Sequence, residues 1–325
     1  MQSIDEFYAK DFYFSYSGLN KLLFCPSMFF NHYVLGEKED KVEQYMIEGR
    51  LIHCLLLQPH EFDNQFIVAM DKLPSDNVRM IIDRVVREHP DVDDLNDVHA
   101  SIIQFMQEYN YMQTLKTDEQ RVAKIITDEN VNYFDFARKS KDLTIIDRNT
   151  LNKVNEMVAI IKNDTEASDL LKLNLTEFDT GIEVMYELPL QYKLPDYSFT
   201  GVKGILDCLV LDHNTKTLTI NDFKTTSKSL LDFSESIEYY NYWLQAGIYK
   251  LMCKQLLAEK NLDYEIKFNF VVIDKFNQLY CFPVSEVTLK AWTEKTKATL
   301  TIADYHYKNR RYNLPYRLDT TKCIL

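Results

Sequence analysis

Glycine is scarce in this chain, with seven among 325 residues, at positions 18, 36, 49, 181, 201, 204 and 247. None falls into a GxGxxG or a GxxxxGK(S/T) arrangement, which excludes a dinucleotide fingerprint and a phosphate loop of the NTPase kind. The six cysteines are scattered. Even the closest pair, Cys253 and Cys281, is 28 positions apart, so no CxxC exists to build a zinc ribbon or a clustered iron–sulfur run. Long apolar runs are missing too, since stretches such as Leu55–Leu57 fall far short of the ~18–20 residues of a membrane-spanning helix. The opening MQSIDEFYAKDFYF has no basic segment followed by an apolar one, so no secretory signal is expected and the thiols are expected to stay reduced in a cytoplasm. A basic excess is also absent. With 37 Lys and Arg against 49 Asp and Glu, the net charge of −12 argues against coating nucleic acid by bulk charge. It leaves room for a local basic groove, or for carboxylates that hold metal.

What is present is the balance of an ordinary folded protein, 46% hydrophobic and 26% charged, long enough for two modest domains or one domain with an insertion. Residues 15–35 read as two short helices, with Ser17 as an N-cap and Pro26 forcing a break. The polar stretch 37–44 reads as a loop, and 45–58 as an apolar helix stopped by Pro59. Gly49 inside that helix costs roughly 1 kcal/mol relative to Ala and asks for a close-approach reason. Over 75–175 apolar residues recur at three and four, as in Ile81, Ile82, Val85 and Val86, which predicts a block of at least three helices with a short extended piece near 143–146. From residue 180 the period switches to two. Residues 182–193, 199–211 and 217–224 read as a three-strand meander, followed by a helix over 239–258, strands 265–274 and 278–284, and a helix over 286–307. The division expected is 1–74 as N-terminal helices, 75–175 as a helical block, and 176–325 as an α/β core with a basic, aromatic tail.

The meander carries the chemistry. Asp222 and Lys224 are two apart on one strand and so project from one face. The short connection after Asp212 pairs that strand with the one before it, which places Asp207 opposite Asp222. A D-x-K pair alone is commonly a solvated ion pair. Asp207, however, interrupts the apolar run Ile205-Leu206-Asp207-Cys208-Leu209-Val210-Leu211, and a buried carboxylate needs a partner. A divalent ion with oxygen ligands, Mg²⁺ above all, offsets such crowded carboxylates, and a neighbouring ammonium can hold an attacking water and offset phosphate charge. The chemistry implied is attack of water on a phosphodiester.

These residues resemble the PD-(D/E)xK nuclease superfamily, and within it the RecB/RecE branch and its phage-type exonuclease VIII relatives. The opening SYSGLNKLLFCPSMFF is similar to the entry helices of that branch, and Met46-x-x-Gly49-x-x-x-His53 with Leu57-x-Pro59-x-x-Phe62 is similar to its G-x-x-x-H helix. Gly204-x-x-Asp207, Asp222-x-Lys224-Thr225-Thr226 and Gln245-x-x-x-Tyr249 match its remaining motifs in order and spacing. The resemblance implies an α/β fold with a restriction-endonuclease-like core, a mixed central sheet flanked by helices. It implies His53, Asp207 and Asp222 as metal ligands, with the backbone carbonyl of Phe223 as a further one and Gly49 allowing close approach. Lys224 would be the catalytic lysine, and Gln245, Tyr249, Thr225 and Thr226 would contact DNA or brace the lysine. Without the motif, His53 reads as a core histidine. The branch often adds a glutamate on the preceding strand; Glu183 and Glu187 share a face, and Glu187 is preferred.

The activity the resemblance implies is a Mg²⁺-dependent deoxyribonuclease (Mn²⁺ a substitute), working 5′→3′ on linear double-stranded DNA in phage-type recombination. A homo-oligomeric ring, a single-strand annealing protein as partner and a bacterial host cytoplasm go with it. An endonuclease in DNA processing or defence, and a catalytically silent DNA-binding protein, are the alternatives on the same fold. Some relatives bind an iron–sulfur cluster through a Cys-Pro cysteine and three C-terminal cysteines. Here Cys25 is joined only by Cys323 near the C-terminus, so no such cluster is expected. The tail 305–317, where Lys308, Arg310, Arg311 and Arg317 alternate with tyrosines, reads either as a phosphate-tracking segment or as a strap packed on the core.

Overall fold

The computed structural model of the protein describes residues 4–37 and 43–321; Cys323 and most of the polar 37–44 stretch lie outside them. The chain forms two compact units, Met1–Gln58 with Glu156–Leu325, and Pro59–Asn155.

The first unit is built on a six-stranded mixed sheet. Its strands are β1 (Tyr13–Ser15), β2 (Ile182–Lys193), β3 (Gly201–Asp212), β4 (Thr217–Thr226), β5 (Glu265–Asp274) and β6 (Leu279–Val284). The β2–β3–β4 meander is antiparallel, as short connections require. The step from β4 to β5 is parallel and is made by a helical crossover over Phe233–Tyr239 and Tyr242–Glu259. A hairpin then adds β6. From Leu206 to Leu211 β3 is buried without interruption, as expected for a strand covered on both faces. Phe14, Leu209, Ile220, Leu244, Ile248 and Phe270 belong to the core that joins helices to this sheet.

One feature of the sheet positions the site. Because β2 pairs with β3 along its length, β1 and β4 share the other edge of β3. β1 covers it from Gly201 to Lys203 and β4 from Cys208 to Asp212. Gly204–Asp207 therefore faces no strand on that side. The β3–β4 register ends at Cys208↔Asn221, so Asp207 and Asp222 fall opposite one another at the next position, just past the end of the ladder.

The local structure corrects three expectations. The cap of the first long helix, Tyr16–Phe24, is Ser15 rather than Ser17: its hydroxyl accepts from the Gly18 N–H at 3.1 Å. The expected 239–258 helix is observed as Tyr242–Glu259, and a separate short helix, Phe233–Tyr239, precedes it, the two parted at Asn241 in a left-handed conformation (φ +56°). Among the described residues Gly49 has no close neighbour, since a Cβ there would meet nothing within 4 Å.

The second unit is helical. Asp76–Glu88, His99–Glu108, Asp118–Ile125 and Asp128–Lys139 turn their apolar stripes inward onto a core that includes Ile81, Val85, Ile102, Phe105, Ile125 and Phe134. Thr117 and Thr127 cap two of these helices. The extended piece is Thr144–Ile146, which pairs in parallel with Phe66–Val68.

Candidate active site

Four elements converge at the uncovered stretch of β3. His53, on the Gln44–Leu57 helix, places Nδ1 3.1 Å from Glu187 Oε1 and 3.7 Å from Asp207 Oδ1. Glu187 comes from β2, where the register sets it opposite Asp207; the pairs Tyr186↔Cys208 and Leu188↔Leu206 flank this position. Its backbone lies in the left-handed region (φ +46°), a strained conformation for a glutamate inside a strand. Glu183, the other candidate, pairs with Leu211 further along the strand and bonds to His213 at 2.9 Å, away from this cluster.

Asp207 is held from the neighbouring strand, its Oδ2 accepting from the Phe223 N–H at 2.8 Å. A residue in an extended strand presents its N–H and its carbonyl to the same edge, so the Phe223 carbonyl is turned to the Asp207 side as well. The Phe223 ring packs edge-on against the His53 imidazole, with centroids 5.3 Å apart. Asp222, fully buried, lies 2.6 Å from Lys224 Nζ, as their shared face on β4 requires.

The charges are strongly coupled. Burial, reinforced by the Asp207 carboxylate, pushes Asp222 up to about 6 against the pull of the Lys224 ammonium. Burial alone would lower Lys224, but the Asp222 and Asp207 carboxylates outweigh it, and the lysine holds its proton more tightly than usual. His53 follows the same pattern: burial pulls it down, and Asp207 and Glu187 together raise it.

These groups fit a divalent cation. One ligand atom each from His53, Glu187 and Asp207 lie within 4.8 Å of one another. Among the described residues Asp222 Oδ1 is buried without a hydrogen-bond partner, a costly state for a carboxylate oxygen unless a further ligand reaches it. One imidazole among carboxylate oxygens suits a hard or borderline ion of the Mg²⁺ or Mn²⁺ type.

The PD-(D/E)XK nuclease superfamily matches this chain over residues 13–301, a span that holds every one of these groups. The chain belongs to that superfamily. Among curated proteins none matches it. Among solved structures it is similar to an exonuclease candidate from Eubacterium rectale, with 13% identity, a TM-score of 0.47, and coverage of 96% of this chain and 86% of that one. It is also similar to the protein SSO0001, with 11% identity, a TM-score of 0.24, and coverage of 86% of this chain and 98% of that one.

Around the superfamily's D-x-K pair the remaining expected residues divide. Gln245 and Tyr249 are buried. The Tyr249 hydroxyl donates to the Ile205 carbonyl at 2.6 Å and accepts from Gln245 Nε2 at 2.8 Å. Through these bonds they reach the uncovered stretch of β3. Gly204 makes this possible, because a Cβ there would come within 2.8 Å of the Tyr249 ring. Thr225 is exposed at the end of β4, and the Thr226 hydroxyl accepts from the Lys228 N–H. Arg310 and Arg311 lie apart from the cluster, pairing with Asp5 at 3.4 Å and Asp319 at 3.0 Å. Tyr312 between strap and core is buried, and its hydroxyl bonds to that of Tyr8 at 2.8 Å. The tail 305–317 thus forms a strap. Two residues that sequence reasoning passed over adjoin Lys224: Tyr242, whose ring lies 5.2 Å from Nζ, and Tyr16, whose hydroxyl donates to the Tyr240 carbonyl. Their aromatic character was visible in the sequence, but their convergence depends on the Asn241 corner, which was not.

Proposed function

We propose that the protein is a divalent-metal-dependent deoxyribonuclease that hydrolyses linear double-stranded DNA from an end. The observation that carries this reading is the convergence of His53, Glu187 and Asp207 beside the Asp222–Lys224 pair, where one edge of β3 is left unpaired among the described residues. Action from an end, the 5′→3′ direction, a role in phage-type recombination, a ring-shaped oligomer and an annealing partner rest on the motif resemblance described above.

In this reading His53, Glu187, Asp207, the Phe223 carbonyl and the orphaned Asp222 oxygen hold the cation. When bound, it polarises the scissile phosphate and lowers the pKa of a coordinated water. Asp222 keeps the Lys224 ammonium in place and charged, so the lysine acts as a hydrogen-bond donor and as a counter-charge to the phosphate rather than as a base. The Phe223 N–H holds the Asp207 carboxylate in one orientation, and Tyr249 fixes the backbone two residues before it. No reorganisation of these groups is needed when charge builds on the phosphate.

The test is a single gel with linearised and covalently closed forms of one plasmid, with Mg²⁺, comparing wild type and Lys224→Ala. Shrinkage of the linear form alone, by wild type alone, is the expected result, and release of a 5′ label then fixes polarity. Cutting of the closed circle would make the protein an endonuclease. Equal cutting by Lys224→Ala would remove the site assignment, and binding without cutting would leave a silent DNA-binding fold.

A further inference from the structure

The corner between the Phe233–Tyr239 and Tyr242–Glu259 helices lies outside the expected metal and lysine positions, yet it reaches Lys224 directly. Three tyrosines run outward from it. The Tyr242 ring lies 5.2 Å from Lys224 Nζ and is stacked with Tyr240, centroids 5.4 Å apart at an interplanar angle of 26°. Tyr240 meets Tyr239 edge-on at 4.9 Å. Tyr239 is 74% exposed, and Lys228 Nζ lies 5.1 Å from its ring centroid. Aromatic rings therefore lead from one ammonium in the site to a second at the surface.

The backbone of this corner is fixed, with the Tyr242 ring half-buried against Phe233 and Phe270 and the Tyr240 and Tyr239 rings exposed beyond it. Asn241, in its left-handed conformation, donates to Asn20 at 2.7 Å and accepts from the Trp243 indole at 3.1 Å. The Tyr240 carbonyl accepts from the Tyr16 hydroxyl and from Asn20 Nδ2. Among the described residues, the Tyr239 hydroxyl has no hydrogen-bond partner. A strained corner with this many anchors, displaying large apolar rings to water, is better suited to a ligand than to packing within the chain. Tyr16 also lines a cleft of about 600 Å³ along the uncovered edge of β3, together with Ser17, Gln191, Lys203 and Tyr249.

We propose that Tyr239, Tyr240 and Tyr242, with Lys228, form a stacking subsite for the unpaired bases of a single-stranded DNA end entering the Lys224 site. This inference rests on the nuclease reading above. A run of rings, exposed at its outer end and flanked by an ammonium at each end, matches a strand whose bases have free faces and whose backbone carries phosphates. Inside a duplex those faces are covered by neighbouring base pairs, so the subsite selects frayed or tailed ends.

The experiment uses the full chain with Ca²⁺ in place of Mg²⁺ and a duplex carrying a short single-stranded tail with 2-aminopurine, beside the same duplex with a blunt end. Wild type is expected to bind the tailed form more tightly and to change the 2-aminopurine emission as the base stacks. Tyr239→Ala and Tyr240→Ala should each weaken tailed-DNA binding about 5- to 100-fold, with blunt-end binding little changed. Tyr239→Phe, which keeps the ring, should behave as wild type. Unaltered tail binding and emission in both alanine variants, with their thermal unfolding intact, would overturn the subsite. A wild type that cuts linear DNA with Mg²⁺ while showing no tail preference would overturn it too, and would leave the nuclease reading standing. Stacking by a wild type that cuts nothing would reverse that outcome.

Discussion

Glu187 is the residue at which strain and charge meet. Its left-handed backbone costs roughly 1–3 kcal/mol in a strand, and its side chain is delivered to the His53 imidazole. Four further charged groups, His53, Asp207, Asp222 and Lys224, crowd the same space, and two of them hold protons that a cation must displace. His53 is raised above its ordinary range, so it is protonated in the metal-free protein over more of the acid range than a free histidine. Asp222, pushed up to about 6, carries a proton there as well. Both must be deprotonated to act as ligands. Cation affinity is therefore expected to rise with pH through the weakly acid range and to flatten once His53 is neutral. Glu187→Gln, which removes a charge and preserves size, should weaken binding about ten-fold or more at neutral pH. Calorimetric titration of Mn²⁺ at a series of pH values checks both. An affinity independent of pH, or unchanged in Glu187→Gln, would place the cation elsewhere.

Among the elements, the meander was legible because its strands alternate and are joined by short connections. The 207/222 register followed from that geometry, and the observed ladder runs in the same register up to Cys208↔Asn221, one step short of it. The Glu187 backbone was not legible, since nothing in Glu-Leu-Pro-Leu announces a positive φ. Nor was the Thr144–Ile146 pairing with Phe66–Val68, because strands of three residues this far apart in sequence carry almost no periodic signal. The helix break at Asn241 hides inside an apolar run that continues on both sides. Gly247 shows the same limit. It reads as a mild helix defect, yet a Cβ there would lie 2.0 Å from Thr296 Oγ1 and 3.1 Å from the Trp292 carbonyl, where the Tyr242–Glu259 and Glu286–Asn309 helices touch. Gly247→Ala is expected to destabilise by about 1–3 kcal/mol through overpacking. Gly204→Ala should cost a similar amount and also reduce cleavage, because the displaced ring is the one that braces Ile205. Urea unfolding beside the plasmid assay separates the two. A Gly204→Ala protein with wild-type stability and wild-type cleavage would remove the bracing role of Tyr249.

At the scale of the whole molecule, the basic, aromatic tail of the acidic chain packs on the first unit. Composition alone left the tail open between DNA and packing, since both use tyrosine and arginine. The contacts favour packing. Tyr312 stacks on Phe29 at 5.7 Å and bonds to Tyr8, while Arg310 lies over the Tyr8 ring at 4.4 Å. His306, buried nearby, bonds to the Arg311 carbonyl through Nδ1, and burial lowers its pKa, so the strap is anchored by a neutral imidazole. The first and last segments of the described chain thus share one aromatic cluster, in which Phe7, Phe12, Phe14 and Tyr307 also take part. Because β1 is carried by the same N-terminal segment, loosening the strap should loosen the end of the sheet beside the uncovered part of β3. Tyr312→Ala is expected to cost about 3–5 kcal/mol, the range for emptying a large aromatic site, whereas Arg311→Ala, an exposed ion pair, should cost under about 1 kcal/mol. If the tail served mainly to hold phosphates, the order would invert: Arg311→Ala would flatten the salt dependence of DNA binding and Tyr312→Ala would leave unfolding untouched.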